Sequence, residues 1–170
     1  SFILYYKLKK KLKSQHQETR IIFVNSEGHR FAIFGIHLDD LKWEHHRYSG
    51  LKGYGSAKTA QLLSMIPYHK IFKNSKVTIN AMHPGNVKTN MGNNNGKFYQ
   101  FWKRIVIDKT SKSPDISAKA LYYLGVSEEI KGVSGKFFNL TSEEKPAPPA
   151  LDKERAEKLW QISLKLGGLN

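Results

Sequence analysis

Short apolar runs alternate with longer amphipathic stretches along this chain. Phe2, Tyr5, Tyr6, Leu8 and Leu12 fall on one broad face at helical spacing, with lysines opposite, and predict a helix over Phe2 to Lys13. Polar residues Ser14 to Thr19 form a loop. Arg20 to Asn25 (RIIFVN) is a continuous apolar run, as in a parallel strand buried on both faces. Ser26-Glu27-Gly28-His29 is the turn at its carboxyl end, and Ile33 to Gly53 is loop-like. Tyr54 to about Tyr68 carries Ala60, Leu62, Leu63 and Ile66 and predicts a second helix. Lys76 to Met82 (KVTINAM) is a β-branched strand, followed by a Pro-Gly turn at Pro84-Gly85. Ser113-Pro114-Asp115 opens a helix running to about Gly125, because proline suits a first turn. Gly135 to Leu140 is a third strand, Lys145 to Pro149 an extended segment, and Asp152 to about Leu166 a final helix. There is no internal repeat. The alternation predicts an α/β fold with a parallel sheet.

The length of 170 residues suits one domain with a real core. No cysteine is present, which removes disulfides and cysteine metal sites and fits a reducing compartment. No apolar run approaches the roughly 18 residues of a membrane span. The chain starts at Ser1 without a Met and is expected to be an excised or incomplete product. His37, Asp39, Asp40, Glu44, His45 and His46 crowd one loop. No His-x-x-x-His pair or other ligand motif emerges there, so no metal is expected. The formal net charge of +14 allows attraction to nucleic acid, anionic lipid or a phosphorylated cofactor. A Lys-rich solvated surface is the simpler reading, and no nucleic-acid motif supports the first. The basic helix at Phe2 to Lys13 also reads as a membrane-surface helix, but covering a sheet or a subunit contact is preferred.

Candidate chemistry concentrates at Tyr54-Gly-Ser-Ala-Lys58. Residues i and i+4 share a helix face, so a phenol is set beside an ammonium. A phenol ordinarily loses its proton near pH 10, and a fixed cation favours the phenolate. A shift of three units needs roughly 4 kcal/mol. One ammonium in water supplies about 1 kcal/mol, so shielding or a second positive charge is required. Tyr-x-x-x-Lys also occurs at Tyr5/Lys9, Tyr6/Lys10, Tyr48/Lys52 and Tyr99/Lys103. Only at Tyr54 are the intervening residues all small, which would let a large ligand lie against the backbone. Only there do an apolar helix, a strand and a Pro-Gly turn follow. Ser26, at the carboxyl end of a strand, is a candidate donor to a substrate oxygen, since open α/β sheets bind ligands at that end.

Six segments taken in order carry a resemblance: RIIFVNS, DDLKWE, YGSAK, VTINAMHPGNVKT, SGKFF and ALDKERAEKLWQIS. Over essentially all 170 residues the chain resembles the C-terminal part of a short-chain dehydrogenase/reductase. It is most similar to the retinol-dehydrogenase-like and WW-domain-oxidoreductase-like branch. The resemblance implies a Rossmann-type doubly wound parallel sheet lacking its N-terminal half, with residues 1–170 as one partial catalytic domain. It implies that Ser26 hydrogen-bonds the reacting oxygen, that Tyr54 is the general acid/base, and that Lys58 assists Tyr54 and binds the nicotinamide ribose. It implies that Pro84, Gly85, Val87 and Thr89 hold the nicotinamide end of the cofactor. Asn25, also assigned to the cofactor site, stands where this branch usually has another serine.

The implied reaction interconverts an alcohol and a carbonyl by hydride transfer, with NADP (placed ahead) or NAD as cofactor. The implied substrate is a lipophilic alcohol, aldehyde or ketone. Asn93 to Asn95 read either as a lid or as a disordered segment, and Phe98, Tyr99, Phe101 and Trp102 stand where a substrate lid would lie but read equally as core or interface. A homodimer through the helices carrying FILYY and YGSAK is a further expectation, as is an intracellular location, cytoplasmic or peripherally on a membrane. Gly50, Gly53 and Gly55 do not follow a strand, so no Gly-rich phosphate-binding turn is present. Two other readings therefore stay open: a non-catalytic binding or regulatory fragment of the family, and a basic protein for nucleic acid or anionic membrane.

Overall fold

The computed structural model describes residues 2–86 and 113–169. Val87, Thr89, the 93–95 segment expected as a lid or as disordered, and the aromatics Phe98, Tyr99, Phe101 and Trp102 lie outside the described residues. Among the described residues, four helices and four strands follow in the order α1 (Phe2–Lys13), β1 (Thr19–Val24), α2 (Gly50–Phe72), β2 (Val77–His83), α3 (Pro114–Val126), β3 (Phe137–Asn139), β4 (Ser142–Glu144) and α4 (Lys153–Leu166). The strands form one sheet in the order β1-β2-β3-β4. β1 runs parallel to β2, with Thr19 opposite Val77 and Val24 opposite Met82. β2 runs parallel to β3, and β4 returns antiparallel to β3.

Side-chain alternation explains the layering, since successive residues of a strand face opposite sides. Ile21 and Phe23 of β1, Val77, Ile79 and Ala81 of β2, and Phe137 of β3 pack with Leu62, Met65, Tyr68 and Phe72 of α2 and Trp160 of α4. Phe2, Tyr5, Tyr6 and Leu12 of α1 complete that layer. Leu8, expected on the same face, is exposed instead. On the other side Met82 and Phe138 meet Ala120 and Leu124 of α3, with Ile22 at the margin. Every residue of β2 is buried, as a central strand covered on both faces should be. Helices on both faces of a mainly parallel sheet make a partial Rossmann-type α/β fold, as the chain pattern predicts.

Two elements differ from expectation. α2 starts at Gly50, four residues before Tyr54, because Ser49 caps it by accepting from the Lys52 N–H. β4 falls between the expected third strand and the extended segment from Lys145, where the pattern assigns no element. Among the described residues, no helix is long and apolar enough to cross a membrane.

Candidate active site

β1 delivers two polar residues to its carboxyl end. The Asn25 N–H donates to the Met82 carbonyl at 2.7 Å, extending the β1–β2 ladder by one step. The Asn25 side chain is buried and fully engaged. Its Nδ2 donates to the Lys58 carbonyl at 3.0 Å and to Gln61 Oε1 at 2.7 Å, while Oδ1 accepts from the Ser26 N–H at 2.8 Å. Asn25 therefore fastens the strand end to α2 at Lys58 and Gln61, and both of its amide donors are used within the fold.

Ser26 has extended backbone and caps a 3-10 turn over Glu27–Phe31, its Oγ accepting from the Gly28 N–H at 3.0 Å. The turn is anchored from beneath by His29, which is fully buried. His29 Nδ1 lies 2.8 Å from the Ser26 carbonyl, and Nε2 accepts from the Ala147 N–H at 3.1 Å. A ring that accepts at Nε2 carries its single proton on Nδ1 and donates it to Ser26. Burial is the main cause that pushes the His29 pKa below the ordinary imidazole value, so the neutral ring is favoured. Thr59 Oγ1 of α2 donates to the His29 carbonyl at 3.1 Å.

α2 lies close against this turn, which requires small residues. A Cβ at Gly55 would come within 2.9 Å of the Ala32 backbone nitrogen and 3.1 Å of the Gly28 carbonyl. The small residue after Tyr54, read from the sequence as room for a ligand, serves this helix-to-turn packing. The same approach presses the Tyr54 ring onto Gly28. A methyl at Gly28 would sit 2.8 Å from Tyr54 Cδ1 and 3.3 Å from Ser26 Oγ. The Tyr54 ring and the Ser26 hydroxyl thus border one point of backbone. Lys58 Nζ stands 5.8 Å from the centre of the Tyr54 ring. All three side chains are half-buried.

Pro84 and Gly85 follow β2, the neighbour of β1, at the same end of the sheet. Gly85 takes φ of +75°, where glycine is favoured. The Pro84 carbonyl accepts a short hydrogen bond from Ser117 Oγ of α3. Among the described residues, the remaining Tyr-x-x-x-Lys tyrosines have packing roles. Tyr5 packs at a tilt against Phe23, Tyr6 packs near Trp160 under Lys9, and Tyr48 meets Trp43 edge-on.

Sequence reasoning passed over a charged cluster beside this turn. His83 Nε2 lies 3.1 Å from Glu27 Oε2 and 3.9 Å from Glu144 Oε2. Arg30 makes short contacts to Oε1 of both carboxylates. The ligand atoms of Glu27, His83 and Glu144 all fall within 4.8 Å of one another, a spacing that a metal ion could span. The proton positions argue against it. His83 Nδ1 accepts from the Gly85 N–H at 3.1 Å, so a neutral ring carries its proton on Nε2 and offers the carboxylates a donor rather than a lone pair. These residues are 27, 83 and 144, far apart in sequence, so only folding reveals the cluster. The crowded loop at 37–46 has a different explanation: Asp40 there accepts from three backbone N–H groups and from His46.

No protein-family model matches the chain. It is 35% identical over 172 residues to human retinol dehydrogenase 13, covering 99% of this chain and 51% of that protein. It is 33% identical to human retinol dehydrogenase 14, covering 89% of this chain and 45% of that protein. A chloroplastic short-chain dehydrogenase, TIC 32 B of Brassica napus, is 31% identical, with 97% and 53% covered. Among solved structures, an uncharacterized protein from Mycobacterium paratuberculosis superposes with a TM-score of 0.63 at 23% identity, covering 89% of this chain and 51% of that one. The chain thus spans about half the length of the curated relatives it matches. In sequence and in fold it belongs with the retinol-dehydrogenase-like short-chain dehydrogenases/reductases, matching their C-terminal portion.

Proposed function

We propose that this chain carries the reacting half of an NAD(P)-dependent oxidoreductase that interconverts a lipophilic alcohol and its carbonyl. The supporting observation is the convergence of the Ser26 hydroxyl and the Tyr54 ring on Gly28, with the Lys58 amine beside that ring. The relatives named retinol dehydrogenases support the substrate class.

Each residue has one task. Ser26 Oγ accepts from the Gly28 N–H, which leaves its own O–H free to point at a substrate oxygen. Tyr54 gives a proton to that oxygen in reduction and takes one in oxidation. Such general acid–base help contributes about 10²–10⁴-fold. Lys58 favours the negative charge left on the phenol. A unit charge at about its distance contributes roughly 3 kcal/mol at an effective dielectric of 20, and under about 1 kcal/mol in water. Exclusion of water around the pair therefore decides how much the amine delivers. A bound nicotinamide supplies or accepts the hydride, and in its oxidised form adds a second positive charge.

The residues present fit that group at its reacting end. Gly85 has φ of +75°, and a side chain there would be strained, while Pro84 fixes the approach to the turn. Val87 and Thr89 belong to the same proposed cradle. Asn25, a member of the proposed cofactor site, also positions Ser26 and Lys58 in this scheme. The pyrophosphate normally rests on a Gly-rich turn, and the 170 residues contain none.

The test is transfer of deuteride from labelled NADPH to a panel of long-chain aldehydes. Tyr54→Phe lowers turnover by about 10²–10⁴-fold while Tyr48→Phe leaves it near wild type. Equal loss in both variants would mean the wrong tyrosine is assigned. The missing Gly-rich turn favours a second reading, a fragment that keeps the fold but binds dinucleotide weakly. Calorimetric titration with NADPH separates them: a tight one-to-one complex removes the second reading.

A further inference from the structure

We propose that His83 is a positioning residue that couples the Pro84-Gly85 turn to the turn carrying Ser26, through Glu27 and Glu144. The inference rests on the reading of those two turns as walls of the reacting site. His83 ends β2, is 7% exposed, and its ring lies nearly parallel to that of Phe137 at 5.9 Å. Through Nδ1 it holds the Gly85 N–H at 3.1 Å. Through Nε2–H it faces Glu27 Oε2 and Glu144 Oε2 at 3.1 and 3.9 Å, in line with neither.

The division of oxygens makes the coupling specific. Each carboxylate gives Oε1 to Arg30 and turns Oε2 toward His83. Two carboxylates and one guanidinium leave one negative charge in excess, so an N–H donor is the favourable group to face them. The groups facing His83 come from two elements: Glu27, His29 and Arg30 on the 3-10 turn, and Glu144 on β4. Glu27 directly follows Ser26, the cap of that turn. A shift of Gly85 thus reaches Ser26 in three steps: Gly85 N–H to His83, His83 to Glu27, and Glu27 to Ser26. A packing role alone would need neither the Nε2 proton nor the charge on Glu27.

Nuclear magnetic resonance on the full chain, without cofactor or substrate, tests this. Imidazole nitrogen shifts of His83 show a proton on Nε2 and a bare Nδ1, and the Nε2 resonance moves in Glu27→Gln, which removes the charged acceptor. Glu27→Gln raises hydrogen exchange of the Gly85 amide about fivefold, and His83→Asn raises exchange of the Gly28 amide by a similar factor. Asn keeps an acceptor for Gly85 but is too short to reach the carboxylates. His83→Gln, should Asn not fold, reverses the pattern: it reaches the carboxylates, freeing the Gly85 amide and sparing Gly28. A proton on Nδ1, or exchange effects confined to each substituted residue's own turn, overturns the coupling. Neither result bears on Tyr54, which the deuteride experiment judges separately.

Discussion

Gly28 and Asn25 show how much of the candidate site is fixed by groups that do no chemistry. Gly28 lets the Tyr54 ring and the Ser26 hydroxyl meet the same stretch of backbone. Asn25 ties that stretch to α2 with two side-chain hydrogen bonds and holds the Ser26 N–H with a third. Serine at position 25 would be too short to span from the strand end to both the Lys58 carbonyl and Gln61. Asn25→Ser is therefore expected to lower stability by roughly 1–3 kcal/mol, the usual cost of leaving buried partners unsatisfied. Urea unfolding measures it. An unchanged midpoint and slope would show that the strand end is held by the backbone ladder alone.

At the scale of elements, two buried groups make the site's surroundings sensitive to acid. Neutral His29 donates to Ser26 and accepts from Ala147, and protonation would turn its Nε2–H against the Ala147 N–H. Its folded pKa is depressed, mainly by burial. Its contribution is full above the ordinary imidazole value of about 6.5 and diminishes as pH falls below it. Asp40 belongs to the loop before α2 and is 5% exposed. Burial opposes its charge most strongly of any single cause, but His46 and the N–H groups of His45, Glu44 and His46 together outweigh it and hold the carboxyl well below the usual range. That contribution is full above about pH 3.9 and is lost as pH falls beneath it. Urea midpoints are expected to drop in two windows, the first below about pH 6.5 and the second below about pH 3.9. Asp40→Asn flattens only the second. A flat profile from pH 7 to 5 would show that His29 is not held neutral.

These elements also show what the chain pattern could convey. β1, β2 and α4 announce themselves by apolar runs and spacing, and Asp152 caps α4 as such a residue should. α2 runs past Pro67 to Phe72, although proline ordinarily interrupts a helix, because Met65, Tyr68 and Phe72 on either side of it are held in the core with the sheet. β4 is Ser-Glu-Glu, with no apolar residue to mark it, and its two-residue hairpin turn uses Leu140 at φ of 55° instead of Asn-Gly. The placement of Tyr54 beside Lys58 on one helix was legible because i and i+4 share a face, and the small residues between them with the elements that follow set this pair apart from the other copies. His29, His83 and Glu144 were not legible, since each gains its role from a partner that only the folded sheet brings near.

For the molecule as a whole, the most consequential feature is the outer edge of β1. Among the described residues β1 has one neighbouring strand, β2. Thr19 and Asn25 turn their N–H groups to β2. In a parallel ladder alternate residues bond to opposite sides, so the amides of Arg20, Ile22 and Val24 point to the open edge. Val24 is 45% exposed there, and an unpaired edge of this kind is a template for another strand. Self-association through the helices is the competing route. On α1 the exposed Ile3, Leu4 and Leu8 would favour it, but Lys7, Lys10 and Lys11 lie among them, and a two-fold contact would bring two such basic surfaces together. The chain is therefore expected to associate by β1, more strongly in high salt, where screening weakens the repulsion of a +14 charge. Val24→Pro separates the routes. It removes only a donor that faces the open edge, which a proline on an edge strand tolerates, and leaves the ladder to β2 intact. Sedimentation velocity at rising concentration should show association in the wild type and little in Val24→Pro. Association that persists in the variant would assign the contact to the helical faces, and a wild type that stays monomeric would mean the edge is already covered.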